Sequence, residues 1–318
     1  LEAELISRVQ QVPRGAVTTY GDLARSLGDV QASRWVGQFL RHHRHAANCA
    51  CHRVVRSDGQ LGHFVSGDVG DKLRLLIAEG HQLAGLRFES SIERFTSFDG
   101  VPPLTRLATC QQRWAKARRG SGAQPTHRVA GVDVSYRGDE GYAAYVEMDA
   151  DTREIIHQAS LRQPVRFPYI PTYLAFRELP LLIQLITKVS QCRPLADTIL
   201  VDGSGVLHPR RAGIATLLGV LLDHATVGVT KKRLAGRADL SNLEYGDVRP
   251  VLANESDEHL GFAMRTSRRT TKPIFVSPGN RISVASAADV VQRCWGKRRL
   301  PDPVYWADRL SRTRSRAS

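Results

Sequence analysis

Apolar positions up to residue 90 recur at helical spacing in short runs that glycines end. Thr18 and Thr19 can cap a helix over residues 20–27, with Gly28 as its stop. Residues 31–42 give a second helix with Trp35, Phe39 and Leu40 on one face, and 72–79 a third, stopped by Gly80. Two short helices joined by a glycine-containing turn fit a helix-turn-helix. From residue 128 the pattern changes. Residues 128–136 are rich in small and β-branched side chains, and 141–148 and 154–160 follow as further strands, predicting an antiparallel meander. A helix over 173–189 and a buried strand over 198–201 come next, then alternating elements that include a strand at 273–277 and a helix at 285–295. Strands followed by αβ units predict a mixed sheet flanked by helices.

The two patterns meet at Thr96-Ser97-Phe98-Asp99-Gly100-Val101-Pro102-Pro103, which reads as an interdomain link. The expected organisation is a small, mainly α domain over 1–96, a linker over 97–102 and an α/β domain over 103–318. A helix over 104–117 goes with the second domain, and 118–125 is a second soft stretch. The first residues read as an amphipathic segment rather than a signal peptide, and Leu1 as a trimmed start. No apolar run approaches the roughly 18 residues of a membrane span, so no membrane partner is expected.

Composition narrows the function classes. With 42% hydrophobic and 24% charged residues the chain can bury a core, which excludes a disordered polymer. The net charge of +14 points to a polyanion, nucleic acid above all. Residues 1–98 carry 12 basic and 10 acidic side chains, so +2; the remainder carries 33 and 21, so +12. Five cysteines without framework spacing fit a reducing cytoplasm. With no Cys-x-x-Cys pair, structural zinc is not expected. His42, His43 and His45 read as a solvated basic loop, with metal binding the alternative.

Chemistry concentrates in two places. Cys51-His52-Arg53-Val54-Val55 sets a thiol beside a base and a cation, the means by which a thiol becomes a nucleophile. Residues 12–24 (Val-Pro-Arg-Gly-Ala-Val-Thr-Thr-Tyr-Gly-Asp-Leu-Ala), Ala32-Ser33-Arg34-Trp35-Val36-Gly37, residues 56–62 (Arg-Ser-Asp-Gly-Gln-Leu-Gly) and residues 75–81 (Leu-Leu-Ile-Ala-Glu-Gly-His) surround it. In this order the motifs resemble the active-site domain of the O6-alkylguanine-DNA alkyltransferases, which implies a winged-helix-like fold. The resemblance implies that Cys51 accepts the alkyl group irreversibly, that His52 takes the thiol proton through a water, and that Glu79 orients His52. It makes Tyr20 a contact to the flipped nucleotide and Arg34 the side chain filling the vacated stack. Ala50, His43 and Phe64 stand where the family has Pro, Asn and Tyr. Cys49 reads as an apolar position, with oxidation onto Cys51 the alternative.

In the second half, Asp133 lies inside an apolar strand, Glu178 on a helix and Asp202 at the end of a buried strand. Buried acids are costly unless paired or metal-bound, and converging carboxylates suit Mg²⁺ and phosphodiester hydrolysis. The order of acids matches a ribonuclease H-like arrangement. Phe167-Pro168-Tyr169-Ile170-Pro171, Ala175-Phe176-Arg177-Glu178, Val201-Asp202-Gly203, residues 208–215 (His-Pro-Arg-Arg-Ala-Gly-Ile-Ala), Gly228-Val229-Thr230-Lys231-Lys232 and Val276-Ser277-Pro278-Gly279 together resemble endonuclease V. That resemblance implies nicking of DNA on the 3′ side of deaminated bases, chiefly hypoxanthine, with Mg²⁺ or Mn²⁺ held by Asp133, Glu178 and Asp202. It makes Lys231 a charge-stabilising residue, Tyr169 the wedge, Leu174, Gly203, Gly213 and Ile214 the base pocket, and His208 a support. Thr172 replaces a family Gly, and the family's metal-site His is expected at Asn280, in an outer-shell role.

The expected protein is therefore a bifunctional, monomeric DNA-repair enzyme acting on duplex DNA that carries O6-alkylguanine or deoxyinosine. Two alternatives stand beside it: a damage-binding protein whose nuclease half is inactive because of Asn280, and a nuclease for inosine-containing RNA.

Overall fold

The computed structural model describes residues 1–46, 49–88, 93–120 and 126–317; the soft stretch at 118–125 falls outside the described residues from 121 onward. The chain forms two compact units, Leu1–Thr109 with Tyr169–Pro171, and Cys110–Pro168 with Thr172–Ser318.

The first unit contains helices α1 (Glu2–Gln11), α2 (Tyr20–Ser26), α3 (Ser33–His42) and α4 (Val69–Ala78), with strands β1 (Thr18–Thr19), β2 (Val54–Val55), β3 (Leu83–Ala84) and β4 (Arg87–Phe88). β1 and β2 pair in parallel, Thr18 opposite Val54, and β3 and β4 form a hairpin. Thr19 starts α2 through a reciprocal cap: its hydroxyl accepts from Asp22 N–H at 3.1 Å and its own N–H donates to Asp22 Oδ2 at 3.3 Å. Val17, Val55, Leu61, Leu76 and Phe88 form one core. The residues expected to be a linker are tied down here. Arg8 Nη2 donates to Val101 O at 3.1 Å, Gln11 Nε2 to Asp99 O at 3.2 Å and Leu104 N–H to Leu27 O at 2.9 Å. The division between the two compact units falls inside α5 (Pro103–Lys116), between Thr109 and Cys110.

The second unit is built on an eight-stranded sheet of order β10-β11-β12-β9-β8-β5-β6-β7. Its strands are β5 (Arg128–Arg137), β6 (Glu140–Asp149), β7 (Ile155–Pro164), β8 (Thr198–Asp202), β9 (Thr226–Thr230), β10 (Val248–Leu252), β11 (His259–Met264) and β12 (Ile274–Asn280). β5, β8 and β9 run parallel to their sheet neighbours in that set, while β5-β6-β7 is the antiparallel meander. The sheet is mixed, as the element order predicts. Ala130, Val132 and Val134 of β5 pack under α6 (Leu174–Cys192) and α7 (Ile214–Leu222). Val129 faces the other way, into a core with residues of α8 (Val284–Arg293) and α9 (Asp302–Ala317). α9 lies close over β5 because position 131 is glycine: a Cβ there would overlap the Pro303 backbone.

Candidate active sites

The first site is assembled on the turn that feeds β2. Cys51 sits on a 3-10 turn, Ala50–Arg53, and is 4% exposed. His52 beside it is buried, and its Nε2 lies 2.9 Å from Glu79 Oε1. Arg53 grips the same carboxylate, Nη2 donating to Oε1 at 2.6 Å. Although burial pushes the Glu79 carboxyl upward, hydrogen bonds from Arg53 and His52 outweigh it and hold the pKa at about 2. Glu79 is therefore a fixed anion aimed at His52, in the position of an orienting group. His52 Nδ1 is buried and has no hydrogen-bond partner among the described residues.

Tyr20, the first residue of α2, is half-buried; burial first, then the Cys51 sulfur, pushes its hydroxyl up to about 12. Tyr20 therefore keeps its proton as a hydrogen-bond donor. Arg34 stands exposed in the first turn of α3. The sequence reading passed over Lys72. It is fully buried on α4, and its ammonium donates to Val54 O and Leu61 O at 2.5 Å each. Burial drops its pKa to about 7, and the Cys51 sulfur opposes that drop. The available signal was a lysine at 72 sharing a helix face with buried Leu76.

The loop before Cys51 is not a solvated basic loop. His42 is exposed and bonded to Gln38 O through Nδ1 at 3.0 Å, as expected of a surface residue. His43 and His45 instead meet Cys49 and Cys51, their ligand atoms all within 4.8 Å of one another. The hydrogen bond with Cys49, then burial, raises the Cys51 thiol; the hydrogen bond from Cys51 lowers the Cys49 thiol.

The second site lies where the middle of β5 meets the carboxyl end of β8. Their parallel register pairs Val132 with Val201, so Asp133 and Asp202 follow side by side on one face, about 4.8 Å apart as adjacent strands require. α9 brings Asp308 onto the same spot, and carboxylate oxygens of Asp133, Asp202 and Asp308 lie within 4.8 Å of one another. Ser311 Oγ donates to Asp133 Oδ2 at 2.6 Å, Lys231 Nζ to Asp202 Oδ2 at 3.1 Å, and Arg312 pairs with Asp308 at 2.8 Å. Glu178 is outside this tight group. It is buried on α6 and accepts from Tyr136 OH at 3.0 Å. Burial, then the charge of Asp202, raises Asp133 to about 7; burial, then Asp133, raises Glu178 to about 8; Asp202 is also raised by burial. Clustered oxygen donors that resist ionising together fit a divalent cation, which would supply the missing positive charge.

Asn280 does not belong to this cluster. On β12 it pairs with Thr226, whose β9 position is opposite Ile199 of β8; Asp202 is three residues further along β8, roughly 10 Å away at 3.3 Å per residue. All its side-chain groups serve structure: Nδ2 donates to Gly219 O at 2.9 Å, and Oδ1 accepts from Arg119 N–H at 2.8 Å. The acid that completes the cluster is Asp308, which the sequence reading missed. It follows buried Ala307 and precedes buried Ser311 on α9, so its side of the helix faces inward.

The expected pocket residues are partly brought together. Ile214 lies against Gly203, where a Cβ would overlap its Cγ2, and a Cβ on Gly213 would overlap Ser204 O. Leu174 opens α6 and is half-buried. Tyr169 is 59% exposed. Thr172 carries φ = 67°, the left-handed conformation that favours the family's glycine. His208 Nδ1 accepts from Arg210 N–H at 3.2 Å, so its Nε2–H donates to Thr172 O at 3.0 Å; burial lowers its pKa to about 4.

Fold and sites together describe a small helical unit with a buried cysteine joined to an α/β unit with a carboxylate cluster. Residues 111–309 match the endonuclease V family, and residues 1–81 match the 6-O-methylguanine DNA methyltransferase DNA-binding domain. A bifunctional methyltransferase/endonuclease of Picrophilus torridus is 34% identical over 302 residues, 95% of this chain and 92% of that protein. The catalytic domain of human endonuclease V is 30% identical with a TM-score of 0.63, covering 69% of this chain and 98% of that one. Ciona intestinalis endonuclease V, solved with a DNA containing an inosine followed by a ribo-adenosine, is 27% identical with a TM-score of 0.63, covering 67% and 98%. The chain belongs to the endonuclease V family and, over nearly its whole length, to the bifunctional methyltransferase/endonucleases.

Proposed function

We propose that the second unit nicks duplex DNA beside deoxyinosine with Mg²⁺ held by Asp133, Asp202 and Asp308. The observation that carries this is the three-carboxylate cluster of β5, β8 and α9, beside Lys231. Mg²⁺ prefers oxygen donors and keeps several waters, and it supplies charge neutralisation and an activated water when bound. Lys231, 39% exposed, can leave Asp202 for a phosphate oxygen. Glu178 holds or gives a proton beside the cluster. Tyr169 is the exposed wedge, and Gly203, Gly213, Ile214 and Leu174 bound the base pocket. Asn280 has no role in this chemistry, so the damage-binding alternative loses the residue it rested on.

In the first unit, His52 Nδ1 takes the Cys51 proton through a water while Glu79 fixes the ring. The sulfur attacks the alkyl carbon, the S–C bond forms as the C–O6 bond breaks, and guanine leaves with Tyr20 donating to it. Lys72 steadies the thiolate. We read α2–α3 as the helix-turn-helix, with Arg34 toward the duplex, and β3–β4 as the wing of a winged helix. Five free cysteines fit a reducing cytoplasm. No helix among the described residues is long and apolar enough to cross a membrane. The working form is a monomer.

The test is nicking of an inosine duplex against its undamaged control, with and without Mg²⁺, and with deoxyadenosine or ribo-adenosine 3′ of the lesion. Mg²⁺-dependent, inosine-specific nicking is expected. Cleavage confined to the ribo-containing strand would favour RNA as the substrate.

A further inference from the structure

We infer that His43, His45, Cys49 and Cys51 form a tetrahedral zinc site that includes the sulfur of the alkyl acceptor. His43 Nε2 lies 3.3 Å from Cys49 Sγ, and His45 Nδ1 lies 3.4 Å from Cys51 Sγ. A tetrahedron with Zn–S near 2.3 Å and Zn–N near 2.0–2.1 Å has edges of about 3.3–3.8 Å, so both separations are already tetrahedral edges. The fourfold group stays within 4.8 Å throughout.

The surroundings orient the donors. His43 caps α3, and its Nδ1 lies 2.9 Å from Leu40 O. Donation to that carbonyl fixes the proton on Nδ1 and turns the bare Nε2 lone pair toward Cys49, the arrangement that aims a ligating histidine. Cys51 is held by the 3-10 turn. His43, Cys49 and Cys51 are buried, whereas His45 is exposed and gives an ion its way in. All four donors come from His43-x-His45-x-x-x-Cys49-x-Cys51, a short chelating loop without a Cys-x-x-Cys pair. Two sulfurs and two imidazoles select zinc over magnesium, while the carboxylates of the other unit have the opposite preference. Two thiolates also balance the ion's charge, so burial is tolerated.

One consequence rests on the reading of Cys51 as the alkyl acceptor: a thiolate bound to zinc gives electron density to the metal and is hemmed in by three other ligands, so zinc occupancy slows transfer. A Cys51 thioether, in turn, no longer offers a thiolate to the metal.

The experiment is a Co²⁺ titration of the reduced full-length protein in excess Mg²⁺, which occupies the carboxylates. Thiolate-to-cobalt charge transfer and tetrahedral d–d absorption should grow to one equivalent and disappear on adding Zn²⁺. Cys49→Ser and His43→Ala should each weaken cobalt binding by at least about tenfold. In parallel, alkyl transfer to Cys51 is followed in chelator, then with Zn²⁺ at full occupancy, which should slow it until chelator returns. The site is overturned if wild-type protein gives no thiolate–cobalt band up to millimolar Co²⁺, or if the band survives in Cys49→Ser/Cys51→Ser. Undiminished transfer at full zinc occupancy would remove Cys51 from the ligands. No transfer in chelator would count against the alkyl-acceptor reading, while the cobalt spectrum still decides the site.

Discussion

On the proposed reading Asp308, and not Asn280, completes the metal cluster. Asp308→Asn keeps the shape but removes a charge from the cluster, and nicking should fall by at least roughly 100-fold, beyond the range typical of outer-shell groups. Asn280→Ala leaves Arg119 N–H and two carbonyls without their partner. It should cost about 1–3 kcal/mol in denaturant melts, with the Mg²⁺ requirement of the folded fraction unchanged. A changed metal requirement would return Asn280 to the site. The raised carboxyls give a further residue-scale prediction. Asp133 and Glu178 bind protons more tightly folded than unfolded, so their contribution is greatest below the unfolded pKa of about 4. It is lost as pH rises toward about 7 and 8. Metal-free protein should therefore lose melting temperature across this window, with the loss reduced in Asp133→Asn. Mg²⁺, which competes with those protons, should raise the melting temperature more at pH 8 than at pH 5.

At the scale of elements, β5 and β8 were legible because an acid inside an apolar strand stands out: Asp133 and Asp202 interrupt patterns that otherwise bury. α9 was not, because Asp308 lies among Arg309, Arg312 and Arg314, and its charge looks solvated until the helix is seen lying over β5. Asn280 misled for the complementary reason. A short matching string fixes neither which end of a strand faces the site nor which cluster a loop joins. The histidine loop was hidden likewise, since donors at 43, 45, 49 and 51 converge only once the 3-10 turn folds them back. Gly131 links element packing to chemistry. Gly131→Ala would drive a Cβ into the Pro303 backbone, and overpacking of this kind costs about 1–3 kcal/mol. It should lower the melting temperature and displace Asp308, so nicking should fall even in the folded fraction.

At the scale of the whole molecule, +12 of the +14 net charge lies beyond residue 98, on the part that carries the nuclease. Binding by that part should weaken steeply with salt, log K falling linearly with log salt concentration as released counterions require. The two reactions share a chain and a partner but no reacting group. The most direct test of a two-site repair enzyme is a crossed assay on one preparation each of wild type, Cys51→Ser and Asp202→Ala, scored for alkyl transfer from O6-methylguanine DNA and for Mg²⁺-dependent nicking of inosine DNA. The account predicts that Cys51→Ser loses only transfer and Asp202→Ala only nicking. Loss of both activities in either folded variant, or nicking that survives Asp202→Ala, would contradict it.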